Sequence, residues 1–121
     1  MARIMITDDA AFMRMMLKTL LSEGGHEVVA EASNGQEALE RYATHMPDIV
    51  TMDITMPVMD GIEAVREIKS RHPDAKIIMC SAMGQQVMVL DAVKAGAKGF
   101  IVKPFDNEKV LNEISKLLGT A

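Results

Sequence analysis

The chain has 121 residues, 49% hydrophobic and 25% charged, which is the balance of one soluble globular domain and not of a disordered tail. Thirteen Lys and Arg against seventeen Asp and Glu leave a net charge of −4, the wrong sign for a surface that tracks nucleic-acid phosphates. No apolar run approaches the ~18 residues of a membrane span, Asp8 and Asp9 come too early for a signal peptide, and one cysteine closes no internal disulfide. The expectation is a cytoplasmic, monomeric single domain over residues 1–121, with no output domain and no nucleic-acid or membrane partner.

The period of the hydrophobic pattern switches repeatedly along the chain. Arg3 to Thr7 is a short apolar run that ends in Asp8-Asp9, as a strand does. Ala11 to Glu23 follows with Met13, Met16, Leu17, Leu20 and Leu21 at helical spacing, and Gly24-Gly25 stops it. Glu27 to Ala32 reads as a weaker strand, and Gln36 to Thr44 as a helix entered through Ser33-Asn34-Gly35. Pro47-Asp48 breaks the chain before the strand Ile49 to Asp53. A loop with Pro57 leads to a helix over about Gly61 to Arg71. Lys76 to Cys80 is the fourth strand, Gln85 to Ala95 the fourth helix and Gly99 to Val102 the fifth strand. After Lys103-Pro104 a last helix runs from about Asn107 to Leu118.

Strand and helix alternate five times, and the central strands are apolar and β-branched. That combination predicts an α/β fold: a five-stranded parallel sheet covered on both faces by helices, with right-handed crossovers. Five such units suit the flavodoxin-like (βα)5 class, a doubly wound sandwich with strand order 2-1-3-4-5. Ligands in such sheets bind beyond the carboxyl ends of the strands, near the switch point. Asp8 and Asp9 follow strand one, Asp53 ends strand three, Ser81 follows strand four and Lys103 follows strand five. One Asp after a strand is as readily a turn former or helix cap, and Asp8 is the most open to that role. Three carboxylates, a hydroxyl and an ammonium on one rim make a site.

Three neighbouring carboxylates repel one another unless one is protonated or a cation sits among them. Their oxygens suit a hard cation, Mg²⁺ foremost. Zinc would want His or Cys, but His26, His45 and His72 fall at the opposite ends of the strands and Cys80 lies inside one. A divalent cation beside a lysine is equipment for a phosphoryl group. The first turn, Asp8-Asp9-Ala10-Ala11-Phe12, has no glycine cradle for a nucleotide phosphate. Asp53 is therefore the candidate nucleophile for an aspartyl phosphate, with Lys103 and Ser81 assisting.

Asp8-Asp9, Asp53 with Met56-Pro57 and Asp60-Gly61, Ser81-Ala82 and Lys103-Pro104-Phe105 together resemble the receiver domains of two-component response regulators. The resemblance covers the whole chain. It runs to the stand-alone chemotaxis regulators of Gram-positive and thermophilic bacteria, which share the stretches Asp8 to Arg14, Thr51 to Pro57 and Cys80 to Gln86. It implies that Asp53 is phosphorylated by the histidine kinase CheA. It also implies that Asp9 and Asp53 ligate Mg²⁺ directly, Asp8 mostly through water, and the Thr55 carbonyl as a further ligand. Ser81 and Phe100 take the switch positions, Thr55 and Met83 the positions that tune phosphoryl lifetime, and Lys103-Pro104 a position usually cis. The flagellar switch protein FliM, bound by the fourth helix, fifth strand and fifth helix, and a phosphatase acting on the phosphorylated regulator are the other implied partners. The product would be a signal and not a turned-over substrate, so the chain is not expected to be an enzyme. A receiver in another phosphorelay and a Mg²⁺-dependent aspartyl-phosphate phosphatase are the alternatives.

Val87-Met88-Val89-Leu90 is four apolar residues in a row, and at about 100° per residue such a run cannot face only the core. Val89 is the residue expected outside, where with Phe100 it would meet a partner. Of the twelve methionines, Met5, Met13, Met16, Met52 and Met79 read as flexible core filler.

Overall fold

The computed structural model describes residues 1–119. Its strands are β1 (Arg3–Thr7), β2 (Glu27–Ala32), β3 (Ile49–Asp53), β4 (Ile77–Ser81) and β5 (Gly99–Val102). Its helices are α1 (Ala11–Glu23), α2 (Gly35–His45), α3 (Gly61–Arg71), α4 (Gln86–Ala95) and α5 (Asn107–Leu118). All pairings are parallel and the sheet order is β2-β1-β3-β4-β5, as the alternation predicts. The differences from the sequence-based bounds are a residue or so at helix ends and a one-residue shift of β4, expected over Lys76 to Cys80.

Side chains alternate across each strand, so the sheet carries two cores. Met5, Val50, Met52, Ile77 and Met79 face α2, α3 and α4, and pack with Leu39, Val65, Ile68 and Ala92. Ile4, Ile6, Ile49, Ile78 and Ile101 face α1 and α5, and pack with Leu17, Leu21, Val110 and Ile114. The central strands β3 and β4 are buried throughout, which is why they read as mainly apolar runs without alternation.

Three helices begin on a capping side chain. Asn34 accepts from the Glu37 N–H, Asp60 from the Glu63 N–H and Asp106 from the Lys109 N–H. α1 and α4 begin without one. The methionines divide as expected at Met5, Met52 and Met79, each fully buried. Met16 departs from expectation. It is 41% exposed because the buried stripe of α1 is Leu17, Leu20 and Leu21, and Met16 sits at its edge. No helix among the described residues is long and apolar enough to cross a membrane.

Candidate functional site

The strands deliver the five rim residues to one place. β1 and β3 are neighbours, so Asp8, Asp9 and Asp53 converge with carboxylate oxygens within 4.8 Å of one another. Lys103 reaches back from the end of β5. Its Nζ lies 2.8 Å from Asp8 Oδ2 and 3.3 Å from Asp53 Oδ1. The ammonium therefore serves both carboxylates, Asp8 the more closely. The Lys103–Pro104 peptide bond is cis.

Asp8 is buried and also accepts the Ala10 N–H through Oδ1 at 2.9 Å, so it braces its own turn as well as facing Lys103. Asp9 is exposed. Asp53 is buried, and its Oδ1 accepts the Ile54 N–H at 2.9 Å. Oδ1 is thus held by an amide and an ammonium, while Oδ2 has no protein donor among the described residues. Burial, then the nearby Asp8 charge, push the Asp53 carboxyl up to about 6, against the opposing pull of Lys103. Lys103 is pushed upward by its hydrogen bond to Asp8 and the charges of Asp53 and Asp8, which outweigh a desolvation that acts the other way.

A divalent cation fits this site. The donors are carboxylate oxygens, one acid is pushed toward protonation by burial and then by the Asp8 charge, and the span of 4.8 Å is near the ~4.2 Å between opposite ligands of a Mg²⁺ ion. Ser81 is buried. Its hydroxyl donates to the Ile101 carbonyl at 3.5 Å, the long limit of a hydrogen bond. Thr55 is exposed on the loop after β3. Phe100 is 49% exposed and shares a hollow with Ser81, Val89, Leu90 and Val102.

Residues 4–115 match the response regulator receiver domain. The chain belongs to that family. It is 65% identical over 116 residues to the chemotaxis protein CheY of Bacillus subtilis, covering 96% of this chain and 97% of that one. It is 60% identical to the CheY of Thermotoga maritima over 115 residues, covering 95% and 96%. Among solved structures it matches a chain of the CheX-CheY-BeF3-Mg²⁺ complex of Borrelia burgdorferi. That match has a TM-score of 0.91 and 39% identity, and covers 96% of this chain and 88% of that one. The receiver fold is thus shared with these relatives.

One expectation is overturned. Val89 is buried at 8% exposure, whereas Val87, Leu90, Val93 and Met88 are 73%, 62%, 47% and 44% exposed. α4 is seated by Val89 and Ala92, an i, i+3 pair, so the outward face is the one that carries residues 87, 90 and 93. Three further residues take supporting roles that the sequence does not assign. Gly61 opens α3 against the Asp53 backbone, and an added Cβ would lie 2.0 Å from the Asp53 carbonyl oxygen. The Asp60-Gly61 pair marks the position in sequence without saying what the glycine meets. Arg14 donates to the Asp8 carbonyl at 2.6 Å and pairs with Glu31 of β2 at 3.2 Å, so it fixes the turn that carries the acids. Its position off the apolar stripe of α1 left it as ordinary surface. Gln85 is the third, and it lies in the Cys80 to Gln86 stretch of the resemblance, which assigns it no role.

Proposed function

We propose that this receiver is a CheY-type chemotaxis response regulator, phosphorylated on Asp53 by the histidine kinase CheA. The observation that carries the reading is the Asp53 carboxylate, buried between two further acids and the Lys103 ammonium. Asp53 offers Oδ2 to the phosphorus of a phosphohistidine. The new O–P bond forms as the P–N bond breaks, the electron pair leaves with the imidazole, and that nitrogen is protonated from solvent. Lys103, already 3.3 Å from Oδ1, stays beside the oxygens as charge gathers on them. Asp9, Asp53, the Thr55 carbonyl and, through water, Asp8 would hold Mg²⁺. When bound, the ion supplies positive charge to the phosphoryl oxygens.

The phosphoryl group adds about −1.5 to −2 of charge and strong acceptors. A charged acceptor outcompetes the distant Ile101 carbonyl for the Ser81 hydroxyl. Ser81 turns inward, and Phe100 moves into the hollow they share. The face of α4, β5 and α5, with Val87, Leu90, Val93, Phe100 and Val102 exposed, then binds FliM. A CheY-phosphate phosphatase resets the system. The chain acts in the cytoplasm as a monomer, and it is a signalling protein whose only turnover is its own acyl phosphate.

Incubation with Mg²⁺ and acetyl phosphate, followed by mass spectrometry and titration of a FliM N-terminal peptide, tests the reading. A single phosphate adduct lost in Asp53→Asn, with tighter peptide binding in the phosphorylated form, is expected. An adduct that survives Asp53→Asn, or a peptide affinity indifferent to phosphorylation, would overturn it.

A further inference from the structure

α4 begins without a capping side chain, and the residue before it, Gln85, is outside the helical region at φ −103°, ψ 23°. The Gln85 side chain is engaged elsewhere. Its Oε1 accepts the Ala82 N–H at 2.6 Å, and its Nε2 donates to Thr55 Oγ1 at 3.2 Å and, at 3.9 Å, to Met88 Sδ of α4. The first contact closes a local turn, which the Gln85 N–H also closes on the Ala82 carbonyl at 3.3 Å. The second joins residues 30 apart and spans from the loop after β4 to the loop after β3.

Both partners of this amide flank the candidate nucleophile. Thr55 lies two residues beyond Asp53, and Asp53 pairs with Cys80, two residues before Ala82. A surface glutamine that merely folds back on its own turn would leave one end of its amide to water. Here both ends are bound and one bond is long-range. The helix behind it is lightly seated, with Val89 and Ala92 its buried residues. Gly84, at φ +89° with open space around it, sits inside the same turn.

The geometry points to Gln85 as a positioning residue, a clasp that holds the first turn of α4 against the mouth of the acidic site until a phosphoryl group forms there. This rests on the phosphorylation of Asp53 proposed above. Phosphoryl oxygens need donors, and those nearby are already committed: Ser81 to Ile101, Lys103 to Asp8 and Asp53, the Ala82 N–H to Gln85. A charged oxygen takes an N–H from a neutral amide oxygen, because charge-assisted bonds are about twice as strong. Once Oε1 loses Ala82, the Thr55 bond and a long contact to Met88 Sδ at 3.9 Å are what restrain the side chain. With its shorter anchor gone the Thr55 bond is readily lost in turn, and the first turn of α4 is free to re-seat.

Beryllofluoride with Mg²⁺, a mimic of the aspartyl phosphate, provides the test, read by amide NMR on the wild type, Gln85→Ala, Thr55→Val and the double variant. In Gln85→Ala the Ala82 amide is expected to exchange about 3- to 10-fold faster without ligand, the span of one net hydrogen bond. Its beryllofluoride affinity should rise by a similar factor, since no clasp has to be broken. Thr55→Val should tighten affinity less, and should add nothing in the Gln85→Ala background. Exchange and affinity both within twofold of wild type in Gln85→Ala would overturn the clasp. So would an effect of Thr55→Val that is equal with and without Gln85. If the wild type fails to bind beryllofluoride, the phosphorylation reading falls, and the clasp is then decided by Ala82 exchange alone.

Discussion

Asp53→Asn should make the metal-free protein more stable, because the carboxylate is held in a place that disfavours its charge. Burial and Asp8 raise the Asp53 carboxyl from its ordinary 3.8 to about 6. Between those values the folded state keeps a proton that the unfolded chain has released. Stability from this group therefore falls as pH rises through that window, and the whole deficit is in place above about 6. A displacement of roughly two pH units at 1.36 kcal/mol each corresponds to about 3 kcal/mol at neutral pH. Asparagine keeps Oδ1 for the Ile54 N–H and Lys103, and sets an NH2 where Oδ2 has no protein donor, so it removes the charge without undoing the local bonds. Urea denaturation in EDTA, followed by circular dichroism, should show the variant about 1–3 kcal/mol more stable near pH 7.5 and nearly equal to wild type near pH 4. Millimolar Mg²⁺ should raise the wild type alone and narrow the gap. Equal stability near pH 7.5, or a difference that does not change with pH, would refute the account.

Gly61→Ala should cost about 2–4 kcal/mol and weaken Mg²⁺ binding measured by calorimetry, because the added methyl meets the Asp53 backbone, which cannot move aside without carrying the carboxylate with it. Thr51→Val should gain about 1 kcal/mol in chemical denaturation, since the buried Thr51 hydroxyl has no hydrogen-bond partner among the described residues and valine keeps its shape. Cys80 should be inert to a disulfide reagent in the native state and react only on unfolding, because burial pushes its thiol up to about 12. Rapid native labelling of Cys80 would place it at the surface and count against the position of β4.

The sheet and the charged rim were legible because they rest on strong local signals. Apolar runs ending in Asp9, Asp53, Ser81 and Lys103 give strand, strand end and parallel order at once, and the parallel order brings those ends together. The seating of α4 was not legible from the run Val87 to Leu90, since every member is apolar and the run carries no phase. Ala92, three residues beyond Val89, supplies the phase, but a small residue buried by close helix–sheet approach looks in sequence like any neutral position. Met16 failed for a related reason, since the stripe of α1 is narrower than its apolar content. Gly61, Arg14 and Gln85 act through backbone atoms of other segments, Asp53, Asp8 and Ala82, and no residue pattern encodes which carbonyl or amide a side chain will find.

The bared face of α4 carries a consequence for how the protein behaves in a crowded solution. Val87, Leu90 and Val93 stand in water whenever no partner covers them, and a second copy of the chain could cover them as well as any partner. The counterweight is spread over the whole molecule. At a net charge of −4 every copy repels every other, more strongly as salt falls. Colloidal stability therefore resides in residues far from the sticky helix. Substitutions that neutralise distant acids should favour self-association on a face they never touch.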